Sequence, residues 1–266
     1  MKRIGLLGSI CLIISAGMIP AAGQSPYQLD PTRELAIIGA GMSLHALSWM
    51  LKEEIDPFTA EQISRLDRRS ISEFDRSATY HYSISAANSS DLVRNICIAL
   101  PAALAAGRPR SELGKVGVLL GETYLLVSGT TYLAKTAFHR PRPYVYNEAV
   151  GVSEKRSLNA QFSFISGHTS VSSGLSFFTA KVFSDYYPES PLKPFVWGVA
   201  ATLPAVTGYF RVKAGKHYPS DVIAGYLVGA IGGILVPAMH KTTRRASVHG
   251  LHLRAGGTSL GIVYQF

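Results

Sequence analysis

The chain has 266 residues, with 26 Lys and Arg against 17 Asp and Glu for a net charge of +9, and 47% of it is apolar. That length suits one main core. The basic residues are scattered over loops, with no recognition helix and no zinc-ligand spacing, which argues against nucleic acid and points to an anionic membrane surface or an anionic substrate.

Lys2 and Arg3 precede an apolar run over 4–19 and the small residues of Pro20-Ala-Ala-Gly23, which reads as a signal peptide over 1–23. The competing reading is an uncleaved anchor helix. Cleavage would remove Cys11 and leave Cys97 alone, so no intrachain disulfide is expected and Cys97 reads as core or lipid-facing. Six apolar stretches follow, at 35–51, 92–106, 116–134, 171–183, 195–210 and 222–239. They outrun ordinary strands and are expected as helices. The last carries no charged residue and nearly reaches the ~20 residues of a membrane span. His45, Arg94 with Asn95, and Glu122 interrupt the first three, and the fourth is rich in Ser and Thr.

The expected fold is all-α, a membrane-associated bundle of about six main helices; a periplasmic bundle is the alternative. A mean hydropathy of +0.17 is low for a chain mostly in lipid, but the polar linkers 52–90 and 135–166 dilute it. Within the first linker, the mixed charges of 65–76 read as a solvated surface helix. Short basic loops tend to stay cytoplasmic, which puts Arg108-Pro-Arg110 and the basic run from Lys241 to Arg245 inside and the polar loops outside. A cleaved signal and six full spans do not fit that arrangement together, so the topology stays open. In the tail, Leu251 and Leu253 alternate with His252 and Arg254, and Ala-Gly-Gly-Thr-Ser leads into a second apolar run, which predicts a β-hairpin.

Three segments carry chemistry. In Lys135-Thr-Ala-Phe-His-Arg-Pro-Arg142-Pro143, two prolines stiffen a loop presenting cations, and Arg142 suits bidentate phosphate contacts while Arg140 reads as solvent-facing. Ser166-Gly167-His168 opens an apolar helix, where backbone N–H groups favour an anion and Ser166 is placed to cap the helix or donate to a phosphate oxygen. Arg211 precedes His217, and Asp221 lies one helical turn beyond that histidine at a Pro-initiated helix start. A carboxylate there would set the imidazole tautomer. Each segment alone also fits a rigid basic turn, a plain N-cap or a capping aspartate. No His or carboxylate cluster with metal-ligand spacing lies near them, so metal-free chemistry without a cofactor is expected.

Together these residues resemble the tripartite signature of the type 2 phosphatidic acid phosphatase (PAP2) and vanadium haloperoxidase superfamily, over about residues 90–240. Ile165 and Phe210 depart from the proline and serine often found there, which bears on substrate preference. The resemblance implies that His217 is a nucleophile forming a phosphohistidine, that Asp221 orients it, and that His168 is the acid and base. It implies that Lys135, Arg142, Ser166, Gly167 and Arg211 hold the phosphate. The implied layout is an N-terminal helix and amphipathic linker over 24–89, a PAP2-like phosphatase domain over 90–242 and a tail over 243–266. The implied activity is hydrolysis of lipid phosphomonoesters or pyrophosphates in the bacterial cell envelope, in the membrane or the periplasm. A broad-specificity acid phosphatase, a vanadate-dependent haloperoxidase and a non-catalytic lipid-phosphate binder are the alternatives.

Overall fold

A computed structural model of the chain describes residues 25–106, 109–242, 251–256 and 259–264. The signal-peptide expectation falls outside these residues. Six long helices correspond to the six apolar stretches: α1 Pro31–Glu53, α2 Ile84–Ala99, α3 Arg110–Phe138, α4 Gly167–Tyr186, α5 Lys193–Lys213 and α6 Pro219–Met239. The chain starts α1 with Asp30, whose side chain accepts from the Thr32 and Arg33 amides, and with Pro31 at the first position. The expected hairpin is present as β1 Leu251–Gly256 paired antiparallel with β2 Ser259–Tyr264.

α4 is the central helix, packed against α2, α3, α5 and α6, while α1 leans on α3 from outside. The interior is unusual in chemistry. Ser170, Ser172, Ser173, Ser176, Thr169, Thr179 and Thr207 are buried, and the larger apolar side chains gather toward one end, around Leu119, Phe178 and Phe183. Small residues let backbones touch. A Cβ on Gly225, Gly229 or Gly233 of α6 would lie 2.6, 2.2 and 2.3 Å from the carbonyl oxygens of Ser166, Ser170 and Gly174 in α4. Gly41 and Gly129 bring α1 onto α3 in the same way, a Cβ on Gly129 lying 3.1 Å from the Gly41 carbonyl.

The outer surface is correspondingly apolar. Ile223, Leu227, Ile231, Leu235 and Met239 form an exposed stripe along α6, and Leu35, Met42, Trp49 and Met50 are exposed on α1. Among the described residues, α1 and α6 are the helices long and apolar enough to cross a membrane. Small and hydroxylated residues inside with large apolar ones outside is how helices pack where lipid removes the drive to bury hydrocarbon.

One sequence expectation needs correction, and one open alternative is decided. Residues 65–76 do not make one solvated helix: they split into a 3-10 turn at Arg68–Ser70 and a short helix at Glu73–Arg76, and Asp75 is buried. A buried carboxylate needs a partner, and Arg140 supplies it. Cys97 is fully buried, which decides for the core over the lipid face.

The α4–α6 contact makes a direct prediction. Gly229→Ala should lower stability by about 1–3 kcal/mol through overpacking, whereas Ile231→Ala, on the exposed stripe, should change it little; thermal unfolding of the detergent-solubilised protein compares the two.

Candidate active site

Four chain segments deliver the motif residues to one place. Lys135 lies in the last turn of α3, which ends at His139 in a left-handed conformation (φ 42°) and turns the chain into the Arg140–Pro143 loop. Gly167 and His168 open α4, Arg211 sits in the last turn of α5, and His217 stands just before α6. Lys135, Arg142, Gly167, His168, Arg211 and His217 line a cavity of about 430 Å³. Its remaining wall runs along α3 through Thr131, Ser128 and Tyr124, facing Ile98 and Val171.

The cations are held by neutral oxygens. Arg142 Nε donates to the Asn159 carbonyl (2.8 Å), its Nη2 to Asn159 Oδ1 (3.0 Å) and its Nη1 to the Lys216 carbonyl (2.9 Å). Lys135 Nζ donates to the Phe162 carbonyl at 2.8 Å. Arg211 reaches Ser90 Oγ at 3.3 Å and keeps a buried Nε–H without a partner. Burial and the neighbouring Arg142 bring Arg211 down to about 9, still charged at neutral pH. Burial followed by Arg142 likewise pulls Lys135 well below its usual range. Crowded, desolvated cations with unspent donors form an anion site.

His217 is fully buried. Its Nδ1 lies 2.8 Å from the Ser163 carbonyl, which only accepts, so Nδ1 carries the proton and Nε2 presents a lone pair to the cavity. Arg142 Nη1 lies 3.3 Å from that Nε2. Burial, then Arg142, Lys135 and Arg211, hold the ring well below the usual histidine range and therefore neutral.

Asp221 does not hold the ring through the hydrogen bond expected of it. Its Oδ2 lies 3.6 Å from His217 Nδ1, because the Ser163 carbonyl occupies that position, and it accepts instead from Ser163 Oγ (2.5 Å) and the Tyr218 amide (2.9 Å). The carboxylate thus fixes the Ser163 segment that holds the ring. Arg140 is not solvent-facing either: Nη1 donates to Asp221 Oδ1 (2.5 Å), Nη2 to Asp75 Oδ2 (2.7 Å), and the guanidinium stacks 4.0 Å from the Tyr218 ring. Ser166 is fully buried, capping α4 through the Thr169 amide and bonding Thr169 Oγ1, so of the two roles open to it the cap is the one observed.

His168 Nε2 contacts Asp91 Oδ1 at 2.6 Å and Arg94 Nη1 at 2.8 Å, both from α2. Burial, then Arg211, lowers it to about 3, with Asp91 opposing. Asp91, Asn159, Ser163 and Asp75 carried no motif in the sequence. Arg94 left one trace, a charge interrupting an apolar stretch.

The family model of the PAP2 superfamily matches residues 116–245, a span that includes all three motif segments. The similarity to the PAP2 superfamily thus extends over just under half of the chain. Among solved structures, it is similar to a transmembrane PAP2-type phosphatidylglycerolphosphate phosphatase from Bacillus subtilis, at 17% identity and a TM-score of 0.36, over 92% of this chain and 100% of that one. Comparison with curated proteins gave no match.

Two outcomes follow from this geometry. Arg140→Ala leaves Asp75 and Asp221 buried without their cation and should destabilise the fold by about 3–5 kcal/mol, with Arg140→Lys recovering only part because an ammonium does not bridge both carboxylates; thermal unfolding reads both. For His168, the unfolded ring takes up a proton near 6.5 and the folded ring only near 3, so the unfolded state binds more protons in between and stability falls as pH drops through that window. The unfolding midpoint should decline below about pH 6.5, and less steeply in His168→Asn.

Proposed function

We propose that the chain is a phosphatase that hydrolyses phosphate esters of lipids in the bacterial cell envelope, through a phosphohistidine on His217. The observation that carries the reading is the neutral His217 Nε2 lone pair, aimed into a cavity ringed by Lys135, Arg142 and Arg211. Phosphoryl transfer asks for such charge balance around the equatorial oxygens and an in-line nucleophile. The catalytic domain is assigned to 90–242.

In this reading Nε2 attacks phosphorus and the P–O bond to the alcohol breaks. Arg142, Lys135, the free Nε–H of Arg211 and the Gly167 amide stabilise the transferring group. His168 is neutral in the free protein, so its proton arrives with the substrate, whose second ionisation lies near pH 6. The bound anion offsets the repulsion from Arg211, and Asp91 at 2.6 Å favours the charged ring. His168 then protonates the departing alkoxide, and the resulting neutral ring takes a proton from the water that cleaves the phosphohistidine.

The lipid assignment is supported by the apolar reach of the cavity past Tyr124, Ile98 and Val171, and by the exposed apolar stripes of α1 and α6, which fit a bilayer. His217→Ala should reduce hydrolysis of a lipid phosphate in mixed micelles by at least ~10³-fold, and acid-labile radiolabelled phosphate should be trapped on the native protein but not on the variant. Turnover surviving that substitution would sink the nucleophile assignment. Preference for small water-soluble esters would move the assignment to a broad-specificity acid phosphatase.

A further inference from the structure

About 30 Å from His217 along α6, by the rise of its 21 residues, lies a second polar cluster that the phosphatase chemistry does not use. Glu34 from the first turn of α1, Glu122 from the middle of α3 and His240 at the C-cap of α6 converge there. His240 Nε2 lies 2.8 Å from Glu34 Oε1 and 3.1 Å from Glu122 Oε2, and their donor atoms all fall within 4.8 Å of one another. The side chains of His240 and Glu122 are 0% and 1% exposed.

These groups are poorly served by the protein alone. His240 Nδ1 lies 2.8 Å from the Val236 carbonyl, so that nitrogen carries the proton and Nε2 turns a lone pair toward two carboxylates. Nε2, both Glu122 oxygens and Glu34 Oε2 make no hydrogen bond, although Nε2 sits within ion-pair distance of two of these side chains. Arg33 reaches Glu34 Oε1 through Nε and Nη2 at 3.3 and 3.2 Å, supplying one positive charge against two carboxylates. A histidine whose far nitrogen is pinned by a backbone carbonyl, with its near nitrogen facing carboxylates, is the usual posture of a metal ligand. Ligands 2.0–2.1 Å from a tetrahedral zinc stand about 3.3 Å apart, close to the separations found here.

We propose that Glu34, Glu122 and His240 bind one divalent transition-metal ion, zinc foremost, as a structural clasp. The ion completes the charge balance and ties the start of α1, the middle of α3 and the end of α6 together. That end of the molecule is already laced by the Gln28 amide on the His240 carbonyl and by Lys241 on Asp185. It is remote from the phosphate cavity and takes no part in the hydrolysis proposed above.

The test uses the full chain in detergent, stripped with a chelator and then dialysed against micromolar free zinc. One zinc per chain and a raised unfolding midpoint are expected, with X-ray absorption giving nitrogen and oxygen ligands including an imidazole. Glu122→Gln and His240→Ala should each weaken zinc binding by more than about 100-fold, while His217→Ala should keep the full equivalent. Failure of the native chain to take up zinc would overturn the proposal. Zinc lost with His217→Ala but retained in Glu122→Gln would place the ion in the phosphate cavity and overturn it equally. Since the native protein supplies the uptake and absorption readouts, a variant that fails to fold leaves the proposal decidable.

Discussion

α6 lies directly on the backbone of α4, and the geometry of the cavity lined by His168 and His217 depends on that contact. The three glycines spaced four apart on α6 rest on the carbonyls of Ser166, Ser170 and Gly174, a spacing that any Cβ would force apart. At the cavity end the two helices are also joined by the Ser166 amide donating to the Asp221 carbonyl at 3.0 Å. The starts of both helices are therefore held in fixed register, which turns His168 and His217 toward the same cavity. Lifting α6 by the width of a methyl group would separate the two rings.

Electrostatically the site is divided. Arg142 and Lys135 are tied to carbonyl and amide oxygens, which position them without cancelling their charge. The carboxylate nearest His217, Asp221, is neutralised by Arg140, outside the ring of cavity cations, and Arg140 is in turn shared with Asp75. Positive charge is thus left uncompensated where an anion would sit, while the carboxylate that orders the Ser163 turn stays ionically satisfied. Burial and the same positive field depress both His217 and His168.

Much of this was legible from residue pattern. The six apolar stretches gave the six long helices, and the spacing within each motif gathered Lys135, Arg142, Gly167, His168, Arg211 and His217 around one cavity. What misled was local context. Arg140 beside two prolines looked solvent-facing, and the charged stretch around Asp75 looked solvated, because the two residues that satisfy each other lie 65 positions apart. Asp221, four residues after His217, looked like its direct partner, but the Ser163 carbonyl reached Nδ1 first. Asp91 left no signal in the sequence, and Arg94 left only the charge that interrupts the apolar stretch 92–106.

The sequence by itself determined the helices and the inventory of cations and histidines, since periodicity and short motifs are local properties written into neighbouring residues. Only the tertiary structure decided which carboxylate serves which cation and which oxygen fixes the His217 tautomer. It also decided that Glu34, Glu122 and His240, spread over 206 positions of chain, share one buried corner. Those outcomes depend on distances of 3 Å between segments far apart in sequence, which are set by how closely helix backbones approach and not by any residue's neighbours in the chain.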